Sequence, residues 1–222
     1  MERSRYTGKQ TEYFYKTYRS LRSLASLPEK EKLFELEQLL RLHDPITHRH
    51  SSQVGDIAQQ LALLSGLRQY DSHRIYYGGL FHDIGKVLVP QSYINRLSQS
   101  DLLKEQNDLL ISHGVKGAFI MRHLVNMDES FASICDQHWI GEIPEKPPSQ
   151  QDVDNRHWYV PFVTIADLVA SAFDYNRKYQ IKYKRKDVTN YVNDRFENGV
   201  FPEYIRPAFN KLMLNNRYLR YL

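Results

Sequence analysis

The spacing of the apolar residues constrains this chain most. They recur at three and four residues along nearly the whole length, and no segment sustains the two-residue alternation, bounded by hairpin turns, that strands require. The expected fold class is therefore all-α. Phe14, Tyr18, Leu21 and Leu24 share one helical stripe, and Pro28 followed by Glu29 and Glu31 opens a second helix with Leu33, Leu36 and Leu40 on one face. A third helix is expected from about Thr47 to Leu64, stopped by Gly66, and Ser72 is placed to cap a fourth running through His82 and Asp83 until Pro90. Helices at about 99–110, 112–124 and 129–138 follow. Residues 139–157, WIGEIPEKPPSQQDVDNRH, hold three prolines and read as a long loop. A helix from about Val160 to Tyr179 precedes the basic stretch KYQIKYKRK, and the last helices are expected near 188–197 and 203–217, with Asp187 and Pro202 at their starts.

With 222 residues, 41% of them hydrophobic and 25% charged, the chain can bury one sizeable core and leaves little room for a second full domain. A net charge of +4 permits an anionic ligand without demanding one. Cys135 is alone, which excludes an internal disulfide and fits a reducing, cytoplasmic setting. The N-terminal residues lack the apolar stretch of a signal peptide, and no run approaches the roughly 18 apolar residues that span a bilayer, so a soluble protein without a membrane partner is expected.

His-Asp dipeptides arise by chance about 0.6 times in a chain of this length with nine His and fourteen Asp, so the pair alone says little. His43-Asp44 reads as a helix end before an Asp-Pro turn. His82-Asp83 differs, because in GGLFHDIGKVLVP the apolar Leu80, Phe81, Ile84 and Val87 surround an imidazole, a carboxylate and the Lys86 ammonium. Burying such groups costs several kcal/mol unless each has a partner, and a metal cation is one partner that donors of this kind share. Asp167, in the otherwise apolar run VTIADLVASAF, poses the same problem.

These segments resemble a family. HDPITHRHSSQV, then HDIGK, SHGVKG, QHW and TIADLVASAF are similar in order and spacing to HD-GYP domains, bacterial cyclic-dinucleotide phosphodiesterases within the HD superfamily of metal-dependent phosphohydrolases. The resemblance covers about residues 42–215, closing on FPEYIRPAF, and leaves residues 1–41 as an N-terminal helical extension to a domain of residues 42–222. It implies an HD-domain helical bundle with metal ligands at His50, His82, Asp83, His113, His138 and Asp167. Asp83 would bridge two divalent ions, iron or manganese by donor type, with His50, the HD pair and Asp167 around one and the later histidines around the other. His48 falls two residues too early for the first role.

Two such ions roughly 3.5–4 Å apart share a hydroxide and clamp phosphate oxygens, so no nucleophilic side chain is needed. Two divalent ions, two aspartates and one hydroxide leave about +1, matched to a phosphodiester's single negative charge. Lys86, one turn from His82, is placed to meet the same phosphate, its alternative being a solvated surface lysine. His113 and His138 have alternatives as helix-end and loop-edge histidines.

The chain departs from the family at several points. Two adjacent histidines and a GYP triplet are expected where it reads Gln137-His138-Trp139 and then GEIPEK. The Gln137 amide binds divalent cations more weakly than imidazole, which weakens the second metal site, and Trp139 is offered as a base-stacking surface in place of the missing tyrosine. Ile46 occupies the position of an acidic ligand used for a third metal, so two metals are the maximum expected. Arg177 is the nearest match to the family's phosphate-contacting arginine, beside Lys178, Lys182, Lys184, Arg185 and Lys186, and this cluster also fits a solvated basic helix end.

The expected function is hydrolysis of a cyclic dinucleotide, cyclic di-GMP or a relative, by a metal-bridging hydroxide. The alternatives are an HD phosphohydrolase acting on another nucleotide and a degenerate domain that binds a nucleotide or protein without catalysis. The stripe of Phe14, Tyr18, Leu21 and Leu24 suits a packing or homodimer face better than a nucleic-acid surface.

Overall fold

The computed structural model describes residues 8–94, 112–140, 148–173 and 184–215, and among these every regular element is helical. The order is α1 (Gly8–Ser23), a 3₁₀ turn Leu24–Ser26, α2 (Glu29–His43), α3 (Pro45–Leu64), α4 (Gln69–Phe81), a 3₁₀ turn Ile84–Leu88 and α5 (Gln91–Ile94). After the gap come α6 (His113–Phe119), which runs into a π turn Ile120–Leu124, then α7 (Glu129–Gln137), α8 (Gln150–Asp154) and α9 (Val160–Phe173). The chain closes with α10 (Arg185–Glu197), a 3₁₀ turn Glu203–Ile205 and α11 (Arg206–Leu214).

Local chemistry explains most of the boundaries. Asp44 is the N-cap of α3: its buried carboxylate accepts from the Ile46 amide at 3.1 Å and the Thr47 hydroxyl at 2.6 Å, with Pro45 in the first turn. Gly66, at φ +82°, stops the same helix. Asp128 caps α7 through the Ser130 amide.

Several expectations need correction. Helix α4 starts at Gln69, not at Ser72, whose hydroxyl instead donates to the Gln69 carbonyl from inside the helix. It ends at Phe81, so His82 and Asp83 lie beyond it, with Asp83 opening the next 3₁₀ turn. The segment 139–157 is not wholly a loop, because Ser149 and Asp152 form a reciprocal capping box that sustains the single turn of α8. Asp187 sits inside α10, which begins at Arg185, and reaches back to the Lys184 amide at 3.3 Å. Pro202 starts a 3₁₀ turn rather than the last helix, which restarts at Arg206 with Pro207 in its first turn. The expected helix at 99–110 and the end of the one expected to reach Tyr179 lie outside the described residues.

Two cores hold the bundle. The first joins α3, α9, α10 and α11 through Val54, Leu61, Phe162, Ile165, Phe196 and Phe209. The second joins Leu21 of α1 and Leu33, Leu36 and Leu40 of α2 to Leu80, Phe81, Ile84, Val87 and the buried face of α6. Each such side chain contributes about 1.5–3 kcal/mol by leaving water, so the N-terminal helices are part of what holds the HDIGK turn. Phe14, Tyr18 and Leu24 pack partly buried against this core, within the chain. The helices α3 and α4 cross at Gly55 and Gly79, where a Cβ on Gly79 would lie 2.8 Å from the Gly55 Cα. That close crossing brings the middle of α3 beside the end of α4.

Candidate metal centre

Three elements meet at one point in the bundle. From α3, His50 directs Nε2 to Asp167 Oδ1 of α9 at 2.8 Å. From the end of α4, His82 Nε2 faces Asp167 Oδ2 at 3.7 Å and Asp83 Oδ2 at 3.5 Å. The candidate ligand atoms of His50, His82 and Asp167 all lie within 4.8 Å of one another, and so do those of His82, Asp83 and His138. All five of these residues are buried.

The later histidines extend this group. On α6, His113 Nε2 lies 3.1 Å from Asp83 Oδ1 and 3.3 Å from His138 Nε2. Backbone carbonyls orient two of the rings: His82 Nδ1 donates to the Gly79 carbonyl at 2.6 Å, and His138 Nδ1 donates to the Cys135 carbonyl at 2.8 Å. Thr164, one turn before Asp167 on α9, donates to the His138 carbonyl at 2.8 Å and ties α7 to α9. Ser171, one turn after Asp167, donates to its Oδ1 at 3.1 Å.

The donor set fits divalent cations on electrostatic grounds. His82 Nδ1 donates to the Gly79 carbonyl, and its Nε2 faces oxygens of two buried carboxylates. Buried carboxylates gathered this closely favour positive charge among them, which a bound cation would supply. Burial, reinforced by the neighbouring His82 and His113, lowers His138 to about 3, which leaves it a neutral imidazole able to ligate. Burial alone would raise Asp83, but the Lys86 ammonium with His82 and His113 outweighs it and holds the carboxyl well below its ordinary 3.8. Two overlapping groups of these side chains could hold a metal ion, His50 with His82 and Asp167, and His82 with Asp83 and His138.

Lys86 turns inward, its ammonium paired with Asp83 Oδ2. Gln137 is no metal ligand: its Oε1 accepts from the His157 amide at 3.1 Å, which turns the side chain toward the α8 side of α7. Trp139 is 40% exposed, with its indole N–H donated to the Asp136 carbonyl at 2.6 Å. It lines a cavity of about 230 Å³ together with Asp136, Gln137, Gln151 and Asn155. His48 pairs with Glu37 at 3.2 Å, away from the cluster. Arg177 lies outside the described residues. Sequence reasoning missed the supporting acceptors, the carbonyls of Gly79 and Cys135, because backbone groups carry no residue signal.

The HD domain model matches residues 47–175. The chain belongs to the HD-domain family. No curated protein sequence matches it. Among solved structures, the HD domain of the L. monocytogenes phosphodiesterase PgpH in complex with cyclic-di-AMP is similar at 25% identity and a TM-score of 0.60, over 82% of this chain and 96% of that one. The same HD domain in a separate crystal structure aligns at 20% identity and a TM-score of 0.63, over 83% and 98%, and shares the fold. This HD domain is thus all-helical, with neighbours that are phosphodiesterases, and no helix among its described residues is long and apolar enough to cross a membrane.

Cation binding has a consequence for stability. A ligand that binds only the folded state stabilises it by about 2.7 kcal/mol at one hundred times its dissociation constant. Melting curves of chelator-treated protein are expected to move upward by several degrees on adding manganese or iron(II). In the metal-free protein, the unfolded chain protonates His138 below its ordinary 6.5 while the folded chain resists to about 3, so stability falls as pH is lowered through that window. Asp83, with its carboxyl held low, adds to the loss only below about 3.8.

Proposed function

We propose that this HD domain is a metal-dependent phosphodiesterase that hydrolyses a cyclic dinucleotide. The observation that carries the reading is the convergence of His50, His82, Asp83, His113, His138 and Asp167, drawn from five parts of the chain, around one buried space. When bound, a pair of divalent cations supplies Lewis acidity and water whose pKa is lowered from 15.7 toward about 7. Asp83 would serve both cations, since its Oδ2 faces the His82 side and its Oδ1 faces His113. Lys86 leaves its ion pair with Asp83 to meet the phosphate, adding a positive charge where negative charge develops. Trp139 offers its face to a base at the cavity mouth, with the Gln137 amide N–H₂ free to donate once Oε1 is held by His157. Arg177 remains a candidate phosphate contact.

The bound ligand of the PgpH domain favours cyclic di-AMP as the first substrate to assay, ahead of cyclic di-GMP. A second reading, in which the domain acts on another nucleotide or only binds one, is favoured by the turned-away Gln137. Protein loaded with manganese or iron(II) and kept free of oxygen is expected to hydrolyse cyclic di-AMP, with cyclic di-GMP and cyclic GMP-AMP as comparisons. Base stacking is worth about 1–3 kcal/mol, so Trp139→Ala is expected to raise KM about tenfold while leaving metal content unchanged. Binding of all three dinucleotides without turnover, at two metals per chain, would assign the binding-only role instead.

A further inference from the structure

The 3₁₀ turn Ile84–Leu88 carries Lys86, and the N-terminal helix grips that turn from behind. Tyr13 of α1 sends its hydroxyl to the Val87 carbonyl at 3.1 Å. The same oxygen lies 2.5 Å from His43 Nδ1 at the end of α2, and the two rings stack at 5.6 Å with planes 27° apart. A hydroxyl has one proton to give, so the chain of donors runs from His43 Nδ1–H to the Tyr13 oxygen and from the Tyr13 O–H to Val87. The His43 ring also meets the backbone of Lys86 and Val89, the residues on either side of this turn's grip point.

The grip acts on a short lever. Within the turn, the Lys86 amide donates to the Asp83 carbonyl at 2.9 Å and the Val89 amide to the Lys86 carbonyl at 2.8 Å, so Lys86 is fixed on both sides by its own turn. Val87 is the next residue and fully buried, and its carbonyl is where α1 takes hold. The contact joins residues 74 apart in sequence, linking a helix that precedes the family-matched segment to the turn that carries the ammonium.

We propose that Tyr13 and His43 are positioning residues for Lys86, through which the N-terminal helix sets where that ammonium stands relative to Asp83 and to a bound phosphate. This rests on the phosphodiesterase reading for its consequence on rate, but the placement of Lys86 is testable without it. The full-length chain is compared with Tyr13→Phe, His43→Ala and His43→Asn, the last of which returns an N–H donor near the Nδ1 position. Manganese-loaded proteins are assayed on bis(p-nitrophenyl) phosphate, a generic phosphodiester. In parallel, lysines are ¹³C-dimethylated and the Lys86 resonance, assigned by its loss in Lys86→Ala, is followed by NMR.

Tyr13→Phe and His43→Ala are expected to lower kcat about fivefold with KM and metal content unchanged, His43→Asn to restore most of it, and the effect of Tyr13→Phe to vanish in a Lys86→Ala background. The Lys86 resonance is expected to move in the same variants and to return in His43→Asn. An unmoved resonance in Tyr13→Phe overturns the proposal, and so does a loss of rate that is the same with and without Lys86. If the wild type fails to hydrolyse any phosphodiester while the resonance shifts as expected, the phosphodiesterase reading falls and the positioning of Lys86 stands.

Discussion

Asp83→Ala is expected to abolish phosphodiesterase activity by at least about a thousandfold and to remove most of the bound metal, while the helical content of the protein stays intact. The expectation follows from how many groups depend on this one carboxylate. His82 and His113 each face one of its oxygens, and Lys86 pairs with it. Without it, the space between the two donor groups loses its shared anion and gathers one ammonium and three imidazoles. A second cation placed there would meet only neutral rings on one side and positive charge on the other. A thousandfold loss corresponds to about 4 kcal/mol of transition-state stabilisation, within reach of removing a whole cation from a two-metal site. Elemental analysis and the cyclic di-AMP assay, run on the same preparation, check both parts. A variant that keeps two metals and wild-type turnover would remove Asp83 from the bridging role.

The asymmetry between the donors explains what could be read from the sequence and what could not. Asp167 announced itself, because a carboxylate between Ala166 and Leu168 in an apolar helix has to be partnered from elsewhere, and the structure supplies His50 and His82. His82-Asp83 was legible for the same reason. The end of α4 was not: helical periodicity continues through Phe81-His82, whereas the helix stops at Phe81 and a 3₁₀ turn takes over from Ile84. Ser72 misled because serine caps many helices, yet a hydroxyl inside a helix can equally bond its own backbone one turn back, as it does to Gln69. Gln137 stood out as an amide at a ligand position, but its commitment to the His157 amide depends on where the chain returns after twenty residues. The stripe on α1 was legible as a packing face, whereas its polar grip on Val87 was not, since Tyr13 lies outside the apolar repeat that drew attention to Phe14 and Tyr18.

The second large effect comes from Gly85, in the turn that follows the end of α4. A Cβ added there would sit 1.8 Å from the His113 carbonyl oxygen and 2.5 Å from the Gly117 amide nitrogen, both backbone atoms of α6 that no rotamer change can move. Since real Cβ contacts rarely come closer than 3.4 Å, α6 or the HDIGK turn must retreat by more than an ångström. Either movement separates His113 from Asp83. Gly85→Ala is therefore expected to destabilise the fold by about 3 kcal/mol, at the upper end for overpacking, and to cost at least about a hundredfold in activity, as an ångström of misplacement does. Gly66→Ala provides the contrast. Its φ of +82° strains any L side chain, but nothing lies within 4 Å of the added methyl, so a loss near 1 kcal/mol with unchanged turnover and metal content is expected. Thermal melts with metal analysis of the two variants separate backbone strain from displacement of the site. If Gly85→Ala melts like the wild type and keeps its metal content, the seating of α6 on this turn is not what holds His113 in place.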